Sequence, residues 1–417
     1  MNPVLAAVAV ALLVAFAAIG VVSGEEDEEA EQAAAPSGVS LEQVTERVGD
    51  IAGDVERVRE LEFDRLPRVT LVDPEEAGRA SVEELDRHVP RNRQRVAERL
   101  LAKLGLVPPG TRLRDVIGAA LTEEVAGYYL PRTGTLALVR GGALEGFVAE
   151  VALAHELTHA LEDQRFGIDS PGVSGLLRDR PSADAALVEG SATVAMVEYV
   201  ILTQAGGRDL PEAVRSRVLE QMEGIALPAS SGLPRYVRES LLFPYAAGAG
   251  FVDRLEQRGG WPAVNRAFGD DAPVSTEQIM HPRKYAAGER PVRVRLGPHR
   301  SELPRGARVV ARGDLGEFDT AQFLFDANGR RRSEEAAEGW GGSTFRLWRL
   351  PGGGEVLVMG WAWDTDRDAA QFEAAVRRSV GRLGGAGAVD GGTEGVAVVL
   401  AQEAPLARRV ARRIALR

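Results

Sequence analysis

The residues with the clearest chemistry are two histidines, His155 and His159, which enclose the sequence Glu-Leu-Thr. On an α-helix, residues four positions apart point in the same direction, so both imidazoles can bind one metal ion. Neutral imidazole is a common ligand of zinc. Glu156 lies beside the pair, where its carboxylate can take a proton from a water molecule bound to the metal. The pattern predicts a zinc site with His155 and His159 as ligands and Glu156 as general base.

The alternative is a pair of histidines on the exposed surface of a helix. The neighbouring residues argue against it, because the predicted helix (144–166, ended by Gly167) is apolar nearly all round. Its apolar residues near the motif are Val151, Ala152, Leu153, Ala154, Leu157, Ala160 and Leu161. Burying two histidines and a glutamate without partners costs free energy. We therefore expect this helix to be buried and its polar residues to bind a metal.

A catalytic zinc normally has three protein ligands, and no third histidine follows at short spacing. Glu189 is the best candidate for the third ligand, because alanines at 185, 186 and 192 surround it on a predicted helix from 182 to about 204. A carboxylate in such surroundings needs a partner. Two alternatives remain open: Glu189 paired with an arginine, and Glu162 as the ligand, although Glu162 shares the first helix and would strain the geometry.

Histidines that bind zinc usually donate their second ring N–H to a carboxylate or another oxygen. Asp184, Ser191 and Thr193 are the candidates for that supporting role. For Asp184 there is a simpler alternative, because an acidic residue in the first turn of a helix is stabilised by the helix dipole.

Composition limits the class of protein. The chain has 417 residues, no cysteine and a formal charge of 50 − 61 = −11. The missing cysteine excludes disulfides, thiolate metal sites and a cysteine nucleophile. The acidic balance argues against a nucleic-acid partner.

The N-terminus predicts export. Residues 4–22 are nineteen apolar or small residues without a charge, long enough for a helix to cross a bilayer. We interpret residues 1–24 as a signal peptide or an N-terminal membrane anchor, followed by an acidic, disordered linker over 25–38. The protein is then secreted, or is held at the membrane by residues 4–22. The alternative, a buried hydrophobic helix, is disfavoured because the acidic run isolates this segment.

The rest of the chain predicts an α+β fold. Residues 39–291 are mainly helical, with a small β-sheet that includes two strands around the turn Pro-Arg-Thr-Gly at 131–134. From 292 to 417, strand-like and helical runs alternate, which indicates a separate C-terminal α+β accessory domain.

At these motifs the chain resembles the zincin metallopeptidases of the gluzincin type, and more closely a family of uncharacterised bacterial exported proteins with the same site. The matching stretches are 125–129, 154–164, 187–193, 242–245, 259–261, 275–282 and 339–342. Together they span roughly 125–370. The chain departs from that family at two positions: Glu162 stands where such proteins often have Gln, and Ser191 where they often have Asp.

The resemblance implies a mainly helical zincin-like core and an extracytoplasmic peptidase with one Zn²⁺ per chain. His155, His159 and Glu189 would be its ligands, and Glu156 would pass a proton from the water to the leaving amine. Zincins also hold extended substrate along an edge strand. That role would fall to the strand before the active-site helix, formed by Thr135, Leu136, Ala137, Leu138 and Val139. The alternative for this strand is an ordinary hairpin without a substrate.

A peptidase also needs a group that stabilises the oxyanion. His281 is the first candidate, with Tyr245 and Tyr285 beside it in the same role. The simpler alternative for His281 is a histidine at the C-terminal end of a capped helix, where it faces the dipole.

Three functions fit these observations. The first is a zinc peptidase acting on peptides or proteins, and the intact Glu156 favours it. The second is a catalytically silent zincin fold that serves as a binding or scaffold protein of the cell envelope. The third is a zinc hydrolase of a non-peptide bond.

Overall fold

The computed structural model describes residues 41–116, 127–140, 147–168, 177–204, 232–383, 386–392, 395–414 and 416. The predicted signal or anchor (1–24) and the predicted linker (25–38) lie outside these residues. The described chain has the predicted α+β fold, with helices around two β-sheets.

The first part of the chain is mainly helical and contains one small sheet. Its helices are α1 (Leu41–Arg59), α2 (Pro74–His88), α3 (Arg91–Lys103), α4 (Phe147–Phe166), α5 (Asp179–Gln204), α6 (Arg235–Ala267), α7 (Thr276–Met280) and α8 (Pro282–Ala286). Its strands are β1 (Arg68–Val72), β2 (Gly127–Leu130) and β3 (Thr135–Val139).

The small sheet has the order β1-β3-β2, with β3 parallel to β1 and antiparallel to β2. A short 3₁₀ turn (Pro131–Thr133) joins β2 to β3, and Gly134 completes it with a φ of 58°. The predicted hairpin is therefore present. It was not apparent from the sequence that β1, far upstream in the chain, covers the second edge of β3.

Helices α4 and α5 are the apolar helices on which the predicted site depends. Gly167, at a φ of 67°, ends α4 as predicted, because the left-handed conformation costs glycine little. Within the described residues one helix, Asp179–Thr203, is long and apolar enough to cross a membrane by length and composition. However, 83% of its apolar 18-residue stretch is buried inside the fold. This segment is α5, and it forms part of the hydrophobic core.

Two glycines allow α5 and α6 to pack in close contact. A methyl group at Gly190 would lie 2.2 Å from the carbonyl carbon of Gly248, and one at Gly248 would lie 2.0 Å from the carbonyl oxygen of Ala186. Real side chains do not approach backbone atoms this closely, so both positions require glycine. The contact brings the middle of α6 against the residues of α5 that surround Glu189.

The second part of the chain is built on an antiparallel sheet of order β4-β5-β6-β8-β7. Its strands are β4 (Arg308–Gly313), β5 (Trp340–Arg349), β6 (Glu355–Trp363), β7 (Ala386–Gly392) and β8 (Gly395–Ala401). Its helices are α9 (Glu317–Asn328), α10 (Arg330–Ala337), α11 (Asp366–Arg382) and α12 (Ala404–Ala411).

Packing continues across residue 292, where the sequence predicts a domain boundary. The rings of Phe243 and Phe318 are 4.3 Å apart, and the Tyr236 hydroxyl donates a hydrogen bond of 2.8 Å to Asp319. One hydrophobic cluster contains buried residues of both parts, from Val44 to Leu400. The boundary itself stays a prediction.

Candidate metal centre

The three predicted ligands meet between α4 and α5. Oε2 of Glu189 lies 3.4 Å from Nε2 of His155 and 3.4 Å from Nε2 of His159, and the two ring nitrogens are 3.1 Å apart. Zinc–ligand bonds of about 2.0–2.1 Å in a tetrahedral arrangement place the donor atoms about 3.3–3.4 Å from one another. The triangle of donors therefore has the size that a zinc ion requires.

This group is buried, and it leaves polar atoms without partners. His155, Glu156, His159 and Glu189 are all at most 5% exposed. Among the described residues, neither Nδ1 of His155, Nδ1 of His159 nor Oε1 of Glu156 has a hydrogen-bond partner. The two Nε2 atoms face each other at 3.1 Å, where one ring can donate a hydrogen bond to the other or both can turn their lone pairs to a metal ion. A cation between them fits this donor set.

The charges of the group are strongly coupled. Burial lowers the pKa of His155. Burial acts in the same direction on His159, but the Glu189 carboxylate outweighs it and raises the pKa of His159 to about 9. Burial opposes the ionisation of Glu189, yet the charge of His159 and hydrogen bonds from both histidines lower its pKa. Without a metal, the site thus holds an ion pair between protonated His159 and ionised Glu189. A divalent cation bound there would displace the proton of His159.

Glu156 lies beside the donors with its two oxygens in different surroundings. Oε2 accepts a hydrogen bond of 2.6 Å from the backbone N–H of Tyr129 in β2, whereas Oε1 is buried without a hydrogen-bond partner. Burial raises the pKa of this carboxyl to about 7. A base whose pKa lies near neutrality is well suited to proton transfer.

The prediction that Thr135–Val139 is an edge strand is wrong. This strand, β3, is the central strand of its sheet, and all five of its residues are buried. Its backbone groups pair with β1 and β2, so they are not available to a substrate. In the described part of the chain β2 lies at the edge of the sheet, and its Tyr129 contacts Glu156.

His281 is not placed with the predicted ligands. Its Nε2 lies 2.8 Å from Oε1 of Glu317, a buried carboxylate on α9, and this partner raises the pKa of His281. The predicted catalytic role of His281 is therefore not supported, since its ring nitrogen is engaged in an ion pair elsewhere. Tyr285 also points elsewhere, because its hydroxyl donates to the backbone oxygen of Asp271.

Tyr245 is the candidate that reaches the site. Its ring stacks on that of His155, with centroids 5.9 Å apart, and its side chain is almost fully buried. A hydrogen bond connects its hydroxyl to Glu189, the predicted third ligand, and burial together with this carboxylate raises the pKa of the phenol well above its usual value. The close contact of α5 and α6 at Gly190 and Gly248 accounts for this position, since Tyr245 lies one turn before Gly248.

The predicted supporting residues contact other groups. The side chain of Asp184 is 46% exposed and lies 4.0 Å from Arg180, so it does not support a buried histidine. Thr193 donates a hydrogen bond of 2.7 Å to the backbone carbonyl of Glu189, within its own helix. These two predictions are wrong, because Nδ1 of both histidines has no hydrogen-bond partner among the described residues. Each of the two side chains has a local partner on α5 instead.

Glu162, the alternative third ligand, instead pairs with Arg59 at 3.0 Å, and both side chains are fully buried. Glu189 contacts the two histidines, and these contacts differ from the alternative in which it pairs with an arginine. Arg59 is a buried residue of this region that no sequence motif singles out. Nothing in its local sequence marks it, because its partner is 103 residues away.

A second group of carboxylates does not resemble a metal site. Oxygens of Glu277, Glu289 and Asp364 lie close together. The ammonium group of Lys284 contacts all three, at 2.5 Å from Glu277 and 2.9 Å from Glu289. The lysine already supplies the positive charge that this cluster needs.

Comparisons with known proteins identify no function for the candidate site. Residues 302–414 match the model of a domain of unknown function, DUF8575, which begins after every residue of the candidate site. No curated protein matches the chain. A solved structure from Chloroflexus aurantiacus, described as "a putative hydrolase with a novel fold", is 17% identical, and the alignment covers 67% of this chain and 96% of that one with a TM-score of 0.39. A similarity of this size carries no conclusion about fold or activity.

Proposed function

We propose that the protein is a zinc-dependent hydrolase that cleaves peptide bonds. The observation that carries this proposal is the meeting of three donor atoms, from His155, His159 and Glu189, beside the carboxylate of Glu156. Two histidines and a glutamate are the ligand set of one class of zinc peptidases. A zinc ion held by these side chains would act as a Lewis acid that polarises the scissile carbonyl and lowers the pKa of the attacking water.

Glu156 is the general base of this proposal. Its Oε2 is held by the N–H of Tyr129, which fixes the orientation of the carboxylate. Its Oε1 is the atom that accepts a proton from the attacking water and then gives it to the leaving amine. Burial raises the pKa of this carboxyl, which favours its taking up the proton.

Tyr245 supports the third ligand. Its hydroxyl donates to the Glu189 carboxylate, and its ring lies against His155, so one side chain limits the movement of two donors. Since a phenol has a single O–H proton, Tyr245 cannot donate to Glu189 and to a developing oxyanion at the same time, and its role here is to hold the third ligand.

A peptide is the substrate class that the neighbouring sheet favours. The edge strand β2 runs beside α4, and Tyr129 places the strand directly against the base. Extended peptides bind unpaired strand edges through backbone hydrogen bonds, which give affinity with little demand on sequence. The side chains of β2 are mostly buried, so only its backbone edge is offered for such pairing. We expect the substrate to lie along β2 rather than along the central strand β3.

The decisive experiment measures metal content and peptidase activity on the same purified full-length chain. We expect about one zinc per chain and cleavage of an unstructured protein substrate such as casein. Glu150→Gln, six residues earlier on α4, is the matched control for Glu156→Gln and should keep the activity. A chain without zinc would contradict the proposal. A zinc-loaded chain that binds hydroxamates but does not cleave casein would favour a peptidase of narrow specificity or a zinc hydrolase of a non-peptide bond. One that binds no hydroxamate would favour the silent scaffold.

A further inference from the structure

A buried ion pair lies next to the metal centre. Arg59, the last residue of α1, places Nε and Nη2 each 3.0 Å from Oε1 of Glu162 on α4. Neither side chain is exposed. A buried pair of this kind contributes little net stability, because desolvation opposes the attraction, whereas removing one partner alone is strongly destabilising. Stability is therefore a poor explanation for its presence.

The pair is held by residues from two further helices. Ser191 on α5 donates a hydrogen bond of 2.5 Å to the same oxygen, Oε1 of Glu162. On α6, Asn265 accepts a hydrogen bond of 3.0 Å from Nη2 of Arg59, and the guanidinium lies 3.9 Å from the ring centroid of Trp261. One carboxylate oxygen thus connects α4 to α5, and Arg59 connects both helices to α1 and α6.

The two helices that Glu162 connects are those that carry the predicted ligands. Glu162 follows His159 by three residues on α4, and Ser191 follows Glu189 by two residues on α5. With a rise of about 1.5 Å per residue, the connection lies roughly 3–5 Å along each helix from a ligand. A shift of either helix at this point would change the distance between Glu189 and the two histidines by a similar amount.

We infer that Glu162 is a positioning residue for the metal centre: between Arg59 and Ser191, it fixes α4 against α5 and so holds Glu189 at bonding distance from the metal that His155 and His159 bind. This inference rests on the proposed function, because its effect is on the affinity of the zinc site. Metal sites need ligands held to within about 0.5 Å, and residues behind the ligands supply that precision.

The test separates positioning from stability by using variants of the full-length chain. Glu162→Leu removes the connection but leaves the buried charge of Arg59 without a carboxylate beside it. The double variant Arg59→Met with Glu162→Leu removes both charges and replaces them with apolar side chains. The double variant Glu162→Gln/Ser191→Asp restores a carboxylate beside Arg59, but this carboxylate is carried by α5 instead of α4. Tyr236→Phe is the control for stability alone, because it removes a buried hydrogen bond to Asp319.

Two readouts are measured for each variant: the zinc dissociation constant by competition with a chelator, and the visible absorption spectrum of the Co²⁺-substituted protein, which reports ligand geometry. The thermal midpoint is recorded beside them. We expect the Arg59→Met/Glu162→Leu protein to regain a midpoint near that of the wild type. Its zinc affinity should stay about 10–100-fold weaker, with an altered Co²⁺ spectrum. Glu162→Gln/Ser191→Asp should recover both properties, and Tyr236→Phe should lower the midpoint only.

Wild-type zinc affinity and an unchanged Co²⁺ spectrum in Arg59→Met/Glu162→Leu would overturn the inference while leaving the proposed function intact. So would a loss of zinc affinity that follows the thermal midpoint across all variants, including Tyr236→Phe. A wild-type protein without zinc at this site would overturn the proposed function and the inference together.

Discussion

The backbone N–H of Tyr129 and the carboxylate of Glu156 are 2.6 Å apart, where β2 meets α4. A second contact between the same elements, from the Tyr129 hydroxyl to Asp163 at 2.8 Å, lies two turns further along the helix. The edge strand is thereby fixed to the face of α4 that carries the base. The first contact engages Oε2 of Glu156 and leaves Oε1 as the oxygen that can take a proton.

Replacing Glu156 with glutamine tests its role as base. Glutamine keeps the shape of the side chain and can still accept the hydrogen bond from Tyr129 through its amide oxygen. It cannot take a proton from water near neutral pH, so we expect turnover to fall by about 10²–10⁴-fold. Zinc content and circular dichroism should match the wild type. A variant that keeps its zinc and cleaves peptides at nearly the wild-type rate would show that another group is the base.

Local sequence patterns predict which side chains meet at the candidate metal centre. The spacing of His155 and His159 fixes their relative direction on a helix, and the apolar residues around them already indicate burial. Glu189 follows from the alanines that surround it, and it does meet both histidines. Thr193 could also have been interpreted correctly, because a threonine inside a helix commonly bonds to the carbonyl four residues earlier.

Removing one of the proposed zinc ligands should release the metal. We expect His155→Ala and Glu189→Ala each to lose most of the bound zinc, because each leaves only two protein donors. Asp184→Ala is the matched control on α5, since its half-exposed side chain faces Arg180. Zinc is measured by elemental analysis after gel filtration. If Glu189→Ala retained a full equivalent of zinc, Glu189 would not be the third ligand.

The remaining features depend on contacts between distant parts of the chain. The position of β3 at the centre of its sheet depends on β1, whose Arg68 pairs with Thr135 of β3 from 67 residues earlier in the chain. Arg59 reaches Glu162 across 103 residues, and no local pattern reports such a pair. Tyr245 replaces His281 at the site because the Gly190–Gly248 contact brings α6 to Glu189, whereas Glu317 on α9 binds the histidine.

Alanine at Gly248 should disturb both stability and the metal centre. Its methyl group would lie 2.0 Å from the carbonyl oxygen of Ala186, so α5 and α6 must separate. Overpacking of this kind costs about 1–3 kcal/mol, and the separation should also weaken zinc binding because Tyr245 moves with α6. Chemical denaturation and chelator competition measure the two effects.

The control for this change is Gly53→Ala on α1, where an added methyl group meets no atom within 4 Å. There the higher helix propensity of alanine should stabilise the protein by about 0.5–1 kcal/mol. Two proteins of equal stability would argue against a close α5–α6 contact.

We also propose that the protein works outside the cytoplasmic membrane. The basis is the uncharged segment 4–22, followed by six acidic residues between positions 25 and 31. Cell fractionation of the full chain and of a chain lacking residues 1–24 is the test. We expect the full chain in the membrane or outside the cell, and the shortened chain in the cytosol. Recovery of both forms from the cytosol would contradict this.

Stability should decrease as the pH rises from about 4 to about 7, in part because of the buried carboxyl of Asp319. Burial raises the pKa of this group to about 7 in the folded protein, although Tyr236 donates a hydrogen bond to it. In the unfolded chain the pKa is near 3.9. Between these values the folded state binds the proton and the unfolded state does not. The stabilisation is therefore complete below about pH 4 and is lost as the pH rises through 7.

Asp319→Asn isolates this contribution, because asparagine cannot ionise and can still accept the hydrogen bond from Tyr236. One proton corresponds to a slope of about 1.4 kcal/mol per pH unit in the free energy of unfolding. We expect the wild-type curve, measured by urea denaturation at several pH values, to fall more steeply than that of the variant between pH 4 and 7. The other ionisable groups are the same in both proteins, so their contributions cancel when one curve of unfolding free energy against pH is subtracted from the other. Parallel curves would therefore mean that Asp319 is already ionised in the folded protein at pH 4.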